Sequence, residues 1–135
     1  MLEPAGVSPP SAENAKLIVL ARAARVRAYT PYDDRVVEGA AVRDSDGRTY
    51  AAATVQHKDE RLGSSALRGA LSAFASSGGR SLEAVALVHE RTVGAVCADD
   101  VLMVAEFGPE VTIFVAGLDG AVHTSVVPAT LLGTT

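Results

Sequence analysis

Apolar positions recur in two rhythms along this chain, one with the period of a helix and one suited to strands. From Ser11, a residue able to cap a helix, Leu17, Leu20, Ala21, Ala24 and Ala28 return at helical spacing. The pattern predicts a first helix that ends ahead of Pro31, because the residue before a proline is pushed out of helical geometry. Two short runs follow, Val36 to Arg43 and Arg48 to Val55, around Asp44-Ser45-Asp46-Gly47. Asp-Gly between apolar runs predicts a hairpin. Leu67, Ala70, Leu71 and Phe74 place a second helix over roughly Leu62 to Ser76, stopped at Ser77-Gly78-Gly79. Leu82 to His89 is almost unbroken in apolar character, which suits a strand covered on both faces. A third helix is expected over Ala98 to Phe107, with Asp99 and Asp100 in the first turn where carboxylates suit the dipole, and Gly108-Pro109 as its stop. Strands at Val111 to Val115 and Ala121 to Val127 and a turn of helix at Pro128 to Leu132 complete the series. Strands interleaved with helices predict an α/β protein: a three-layer α/β/α sandwich around a mixed five-stranded sheet.

Composition narrows the function classes. The 135 residues are 48% apolar and 21% charged, enough for one domain with its own core. Residues 1–10, proline-rich and without periodicity, are expected to form a flexible tail, and residues 11–135 a single domain. Twelve basic against 16 acidic side chains leave a net charge of −4, which argues against a nucleic-acid binder or an anionic-membrane binder. Arg22, Arg25 and Arg27 therefore read as solvated charges on an amphipathic helix. One cysteine excludes an internal disulfide and any multi-cysteine zinc module. With neither a signal-peptide pattern nor a run long enough to span a bilayer, a cytoplasmic location is expected. The arginine- and alanine-rich usage suggests a bacterial source.

Particular words within this order resemble the cytidine deaminase family from about Ala15 to Leu132. They are Tyr29-Thr30-Pro31-Tyr32-Asp33, Val37-Glu38-Gly39-Ala40-Ala41, Asp46-Gly47-Arg48, Ala105-Glu106-Phe107-Gly108-Pro109 and Leu131-Leu132. The resemblance implies a cytidine deaminase-like fold, a homo-oligomer (dimer or tetramer), zinc as cofactor and a pyrimidine nucleoside as substrate. Such a site needs three protein ligands on the metal, an activated water, and a carboxylate that shuttles protons. The family's signature is His or Cys, any residue, Glu, and later Pro-Cys, two residues, Cys.

This chain departs from that signature at almost every chemical position. Aligned with the first half, Ser65-Ala66-Leu67-Arg68 puts a serine at the first ligand and a leucine at the proton shuttle. Aligned with the second, Val96-Cys97-Ala98-Asp99-Asp100 keeps one thiol at Cys97 and has Asp100 at the other ligand position. Leucine cannot relay a proton, and a neutral hydroxyl is a poor substitute for thiolate or imidazole on zinc. Cys97 and Asp100 remain only as weak metal candidates. His57 falls in a polar loop and His89 closes a strand. The family's ribose-binding Asn-x-Glu maps to Thr54 and Gln56, and its base-stacking Phe has no counterpart in Asp34-Arg35-Val36. Arg68, which matches the family, is expected to pair with Asp100 where the metal would lie. Cys97 is expected to be a small buried hydrophobe, with a reactive thiol at a helix start as the alternative.

These residues predict a deaminase-like protein without zinc or catalysis, acting as a binding or assembly module. The alternatives are a divergent nucleoside deaminase with a rebuilt site and a non-catalytic nucleoside sensor. Whether the old pocket is open or plugged by Leu67 is left to the structure.

Overall fold

The computed structural model describes residues 9–90 and 96–133. The expected tail is mostly outside the described residues. In chain order the elements are α1 (Ala12–Arg25), β1 (Glu38–Asp44), β2 (Thr49–Ala53), α2 (Ala66–Ser76), β3 (Leu82–His89), α3 (Ala98–Phe107), β4 (Ile113–Ala116), β5 (Val122–Val126) and α4 (Pro128–Leu132). Two 3₁₀ turns, Asp34–Val36 and Glu60–Leu62, precede β1 and α2. No helix among the described residues is long and apolar enough to cross a membrane.

One mixed sheet runs in the order β2-β1-β3-β4-β5, with β3 and β4 parallel and the other pairs antiparallel. Side-chain alternation divides the core into two layers. Ala40 and Val42 of β1 with Val85 and Leu87 of β3 face α2 and α3, where Phe74 packs edge-to-face on Tyr50 and Phe107 with ring centres 6.1 and 5.1 Å away. Ala41, Ala84, Ala86 and Val88 face α1 through Leu17, Ile18 and Ala21. The expected α/β/α sandwich with its five-stranded sheet is thus the observed architecture.

Small side chains on the α1 face let that helix lie close to the sheet. A Cβ on Gly39 would run into the Ala21 carbonyl oxygen and come within 2.6 Å of the Arg25 backbone nitrogen. Arg43, only 9% exposed, binds the other end of α1 to the sheet. Its guanidinium donates to the Glu83 carboxylate at 3.1 Å, the Asn14 side chain at 2.8 Å and the Glu13 carbonyl at 3.2 Å.

Two helix boundaries differ from those expected. α1 ends ahead of Pro31 as expected but already at Arg25, short of Ala28, because the chain is recruited to the sheet edge. There the Tyr29 amide donates to Thr54 O at 2.9 Å and the Gln56 amide to Tyr29 O at 2.8 Å. Leu20, one of the helically spaced positions, is 39% exposed, and Ile18 takes the buried place beside Leu17 and Ala21. α2 begins at Ala66 rather than near Leu62, because Val55 and Ser64 exchange both backbone hydrogen bonds and hold the intervening segment as a loop. The hairpin is as expected. Asp44 Oδ1 accepts from the Asp46 and Arg48 amides at 2.9 Å each, and Gly47 takes φ +87°.

The close helix–sheet approach gives a stability prediction. Gly39→Ala should lower the unfolding free energy by about 1–3 kcal/mol, the usual range for overpacking. An unchanged urea midpoint would contradict this account of how α1 docks.

Candidate functional site

Two helices start side by side, and the expected site residues gather there. Ser65 caps α2: its Oγ accepts from the Arg68 amide at 3.1 Å. The same hydroxyl donates to Asp100 Oδ1 at 2.7 Å, bridging to the first turn of α3. Asp100 is 5% exposed. Burial pushes its carboxyl above the ordinary carboxylate range. The Ser65 hydrogen bond opposes that shift, the neighbouring Asp99 charge adds to it, and the Arg68 charge acts against it. The expected Arg68–Asp100 ion pair is therefore corrected. Arg68 is exposed, no ion pair joins it to Asp100 among the described residues, and the serine hydroxyl is the carboxylate's hydrogen-bond partner. Ser65 wins that place because the cap geometry already aims its oxygen across the gap between the helices.

Leu67 has no exposed surface and belongs to the core cluster that includes Val96, Val101 and Val104. Cys97 is the N-cap residue of α3, makes no side-chain capping bond and is exposed. This corrects the expectation of a buried cysteine: Val96 and Val101 on either side take the core positions and Cys97 is left exposed.

A cavity of about 340 Å³ opens beside Ser65. Val36, Val55 and Tyr32 give it apolar surface, and Gln56, His57 and Glu60 give it polar groups. Leu67 is not on its wall, so the pocket is not plugged by that residue. Thr54 and Gln56, expected at ribose-binding positions, are both committed to backbone. Thr54 Oγ1 accepts from the Glu38 amide at 3.0 Å and donates to the Glu38 carbonyl at 3.4 Å. Gln56 Oε1 accepts from the Tyr32 and Asp33 amides at 3.0 Å each, while Nε2 donates to Asp33 O at 2.6 Å. Gln56 thus holds the Tyr32-Asp33 wall of the cavity in place. His57 is exposed and its Nδ1 accepts from the Asp59 amide at 2.9 Å. His89 lies elsewhere, buried opposite Glu38 at the end of the β1–β3 ladder. Tyr32, Ser64 and Glu60 were missed as cavity residues. The only clue to Glu60 was its place three residues after His57, in a stretch whose apolar pattern is silent.

The residues present do not suit zinc. Ser65 is a neutral hydroxyl whose proton is shared with Asp100, Cys97 is one thiol, and zinc favours nitrogen and sulfur donors. No group of three His, Cys, Asp or Glu side chains among the described residues is arranged to hold a metal ion.

A family model described as cytidine deaminase-like matches residues 10–120. Among solved structures, the cytidine deaminase of Burkholderia pseudomallei is 29% identical with a TM-score of 0.80, over 89% of this chain and 96% of that one. The enzyme of Mycobacterium tuberculosis is 26% identical with a TM-score of 0.75, over 93% and 98%. That of Mycobacterium leprae is 26% identical with a TM-score of 0.69, over 88% and 96%. No curated protein matches the chain.

The raised Asp100 carboxyl sets a sign. Folding holds its proton above the pH at which the unfolded chain releases it, so ionisation costs stability as pH rises through that window. Asp100→Asn keeps an acceptor for Ser65 and removes the titration. Its stability relative to the parent should increase as pH rises from the ordinary carboxylate range through the raised folded-state value of Asp100, and then level off. Parallel curves from urea unfolding would contradict the burial of this charge.

Proposed function

We propose a non-deaminating role for this chain, which belongs to the cytidine deaminase-like family: it is a zinc-free binding or assembly module built on that fold. The observation that carries this reading is the Ser65–Asp100 hydrogen bond, which commits the first-ligand position and the last to each other. Leu67, packed in the core at the position of the family's proton shuttle, supports it independently. Loss of a positioned acid–base group alone lowers rates by about 10²–10⁴-fold. Hydrolytic deamination also needs an activated water, for which these residues offer neither a suitable metal ligand set nor a base in place.

The cavity favours binding over a purely structural role, since it stays open where chemistry is no longer supported. A dimer or tetramer in the cytoplasm is part of the same reading. Exposed Leu62, Leu102 and Leu131, at 63%, 55% and 61%, offer apolar surface for such assembly. A divergent deaminase with a rebuilt site is the competing reading, and the surviving thiol at Cys97 is the feature that favours it.

Elemental analysis of purified protein and an ammonia-release assay on cytidine separate the two. The proposal expects zinc well below one ion per chain and no turnover above the uncatalysed background. One zinc per chain, with cytidine turnover abolished by Cys97→Ala, would establish the enzyme instead.

A further inference from the structure

Among the polar groups of the 340 Å³ cavity, most are already engaged by the chain itself. Thr54 is taken by the Glu38 backbone, Ser65 by Arg68 N and Asp100, and Gln56 keeps at most one amide hydrogen after three contacts to Tyr32 and Asp33. Asp33 is held by Arg35, whose Nε and NH2 donate to its two oxygens at 2.9 and 3.0 Å. That pairing keeps the Asp33 carboxyl near 2, well below its ordinary value, so it is ionised and matched. Arg61 is held likewise by Asp59, at 2.7 Å. Arg35, on the adjoining cleft, and Arg61 are therefore neutralised by the aspartates two residues before them, and no Lys or Arg is among the residues on the cavity wall.

Glu60 is different. It lines this cavity and also the adjoining cleft with Asp34 and Arg35, and no hydrogen bond or ion pair engages its carboxylate among the described residues. An unmatched negative charge beside Val36, Val55 and the Tyr32 side chain is a pairing of one acceptor with apolar and aromatic surface. A volume of 340 Å³ is at the lower end of the roughly 300–1,000 Å³ usual for small-molecule sites.

We propose that this cavity binds a small organic cation, a flat or apolar body carrying a protonated amine or amidine, with Glu60 as its counter-ion. Its selectivity is for charge and flatness, because the side chains at the sugar-binding positions are spent on backbone. A cation gains from Glu60 and from the aromatic surface of Tyr32. An anion finds no unmatched positive side chain on the wall. The inference rests on the reading above, that the pocket holds a ligand without transforming it.

Benzamidine, benzamide and benzoate share one ring and nearly one shape while carrying charges of opposite sign or none. Titration calorimetry of the full chain with each, and with cytidine, tests the proposal. Benzamidine is expected to bind tightest, benzamide more weakly and benzoate weakest, with cytidine no better than benzamide. Glu60→Gln should weaken benzamidine roughly three- to fivefold, the worth of a solvent-exposed ion pair, and leave benzamide unchanged. Glu60→Lys should turn the preference towards benzoate. No benzamidine binding, equal affinity for the three probes, or a benzamidine preference untouched by Glu60→Gln would overturn the proposal. Zinc content and ammonia release measured on the same sample separate this outcome from failure of the non-deaminating reading, which they test alone.

Discussion

The hydroxyl of Ser65 and the carboxylate of Asp100, 2.7 Å apart, hold together the two helix starts on which this site is built. The first turn of each helix presents unsatisfied amide hydrogens and the positive end of a dipole, so two such ends side by side call for negative charge between them. Asp100 supplies that charge from the first turn of α3, and Ser65 supplies the proton that spans the gap. Satisfying the Asp100 charge in this way commits the Ser65 hydroxyl and one Asp100 oxygen to each other. A cation entering here would first have to break a charge-assisted hydrogen bond, and would then find a carboxylate and a neutral hydroxyl where zinc favours nitrogen and sulfur donors.

The rest of the fold keeps these two helix starts in register. Ala40, Val42, Val85 and Leu87 seat α2 and α3 on one face of the sheet, and the small side chains of the opposite face let α1 close the sandwich. Thr54 and Gln56 stitch β2 and the segment after it to β1 and to the Tyr32-Asp33 loop. In this chain those two residues shape the cavity and do not face a ligand with free polar atoms. Core and scaffold keep the cytidine deaminase-like architecture.

Much of the architecture was legible because it depends on local signals. The bounds of β3 and α3 follow from an unbroken apolar run and from an acidic first turn with a Gly-Pro stop, and both are found where expected. The end of α1 was not legible, because Tyr29 leaves the helix for partners more than twenty residues away, Thr54 and Gln56. The start of α2 was obscured in the same way by the Val55–Ser64 pairing. At the site, the identities of Ser65, Leu67, Cys97 and Asp100 already argued against zinc chemistry. Their pairing was misread, because opposite charges made Arg68 the obvious partner for Asp100. A capping serine next to a buried carboxylate makes a shorter reach and leaves the arginine in water.

A double-mutant cycle on Ser65→Ala and Asp100→Ala, read by unfolding free energy in EDTA and again in excess zinc, tests this interaction directly. The expected coupling is about 1.5–3 kcal/mol, the range for a hydrogen bond to a charged group, and the same in both conditions. Additivity within about 0.5 kcal/mol, or coupling that appears only when zinc is present, would contradict it.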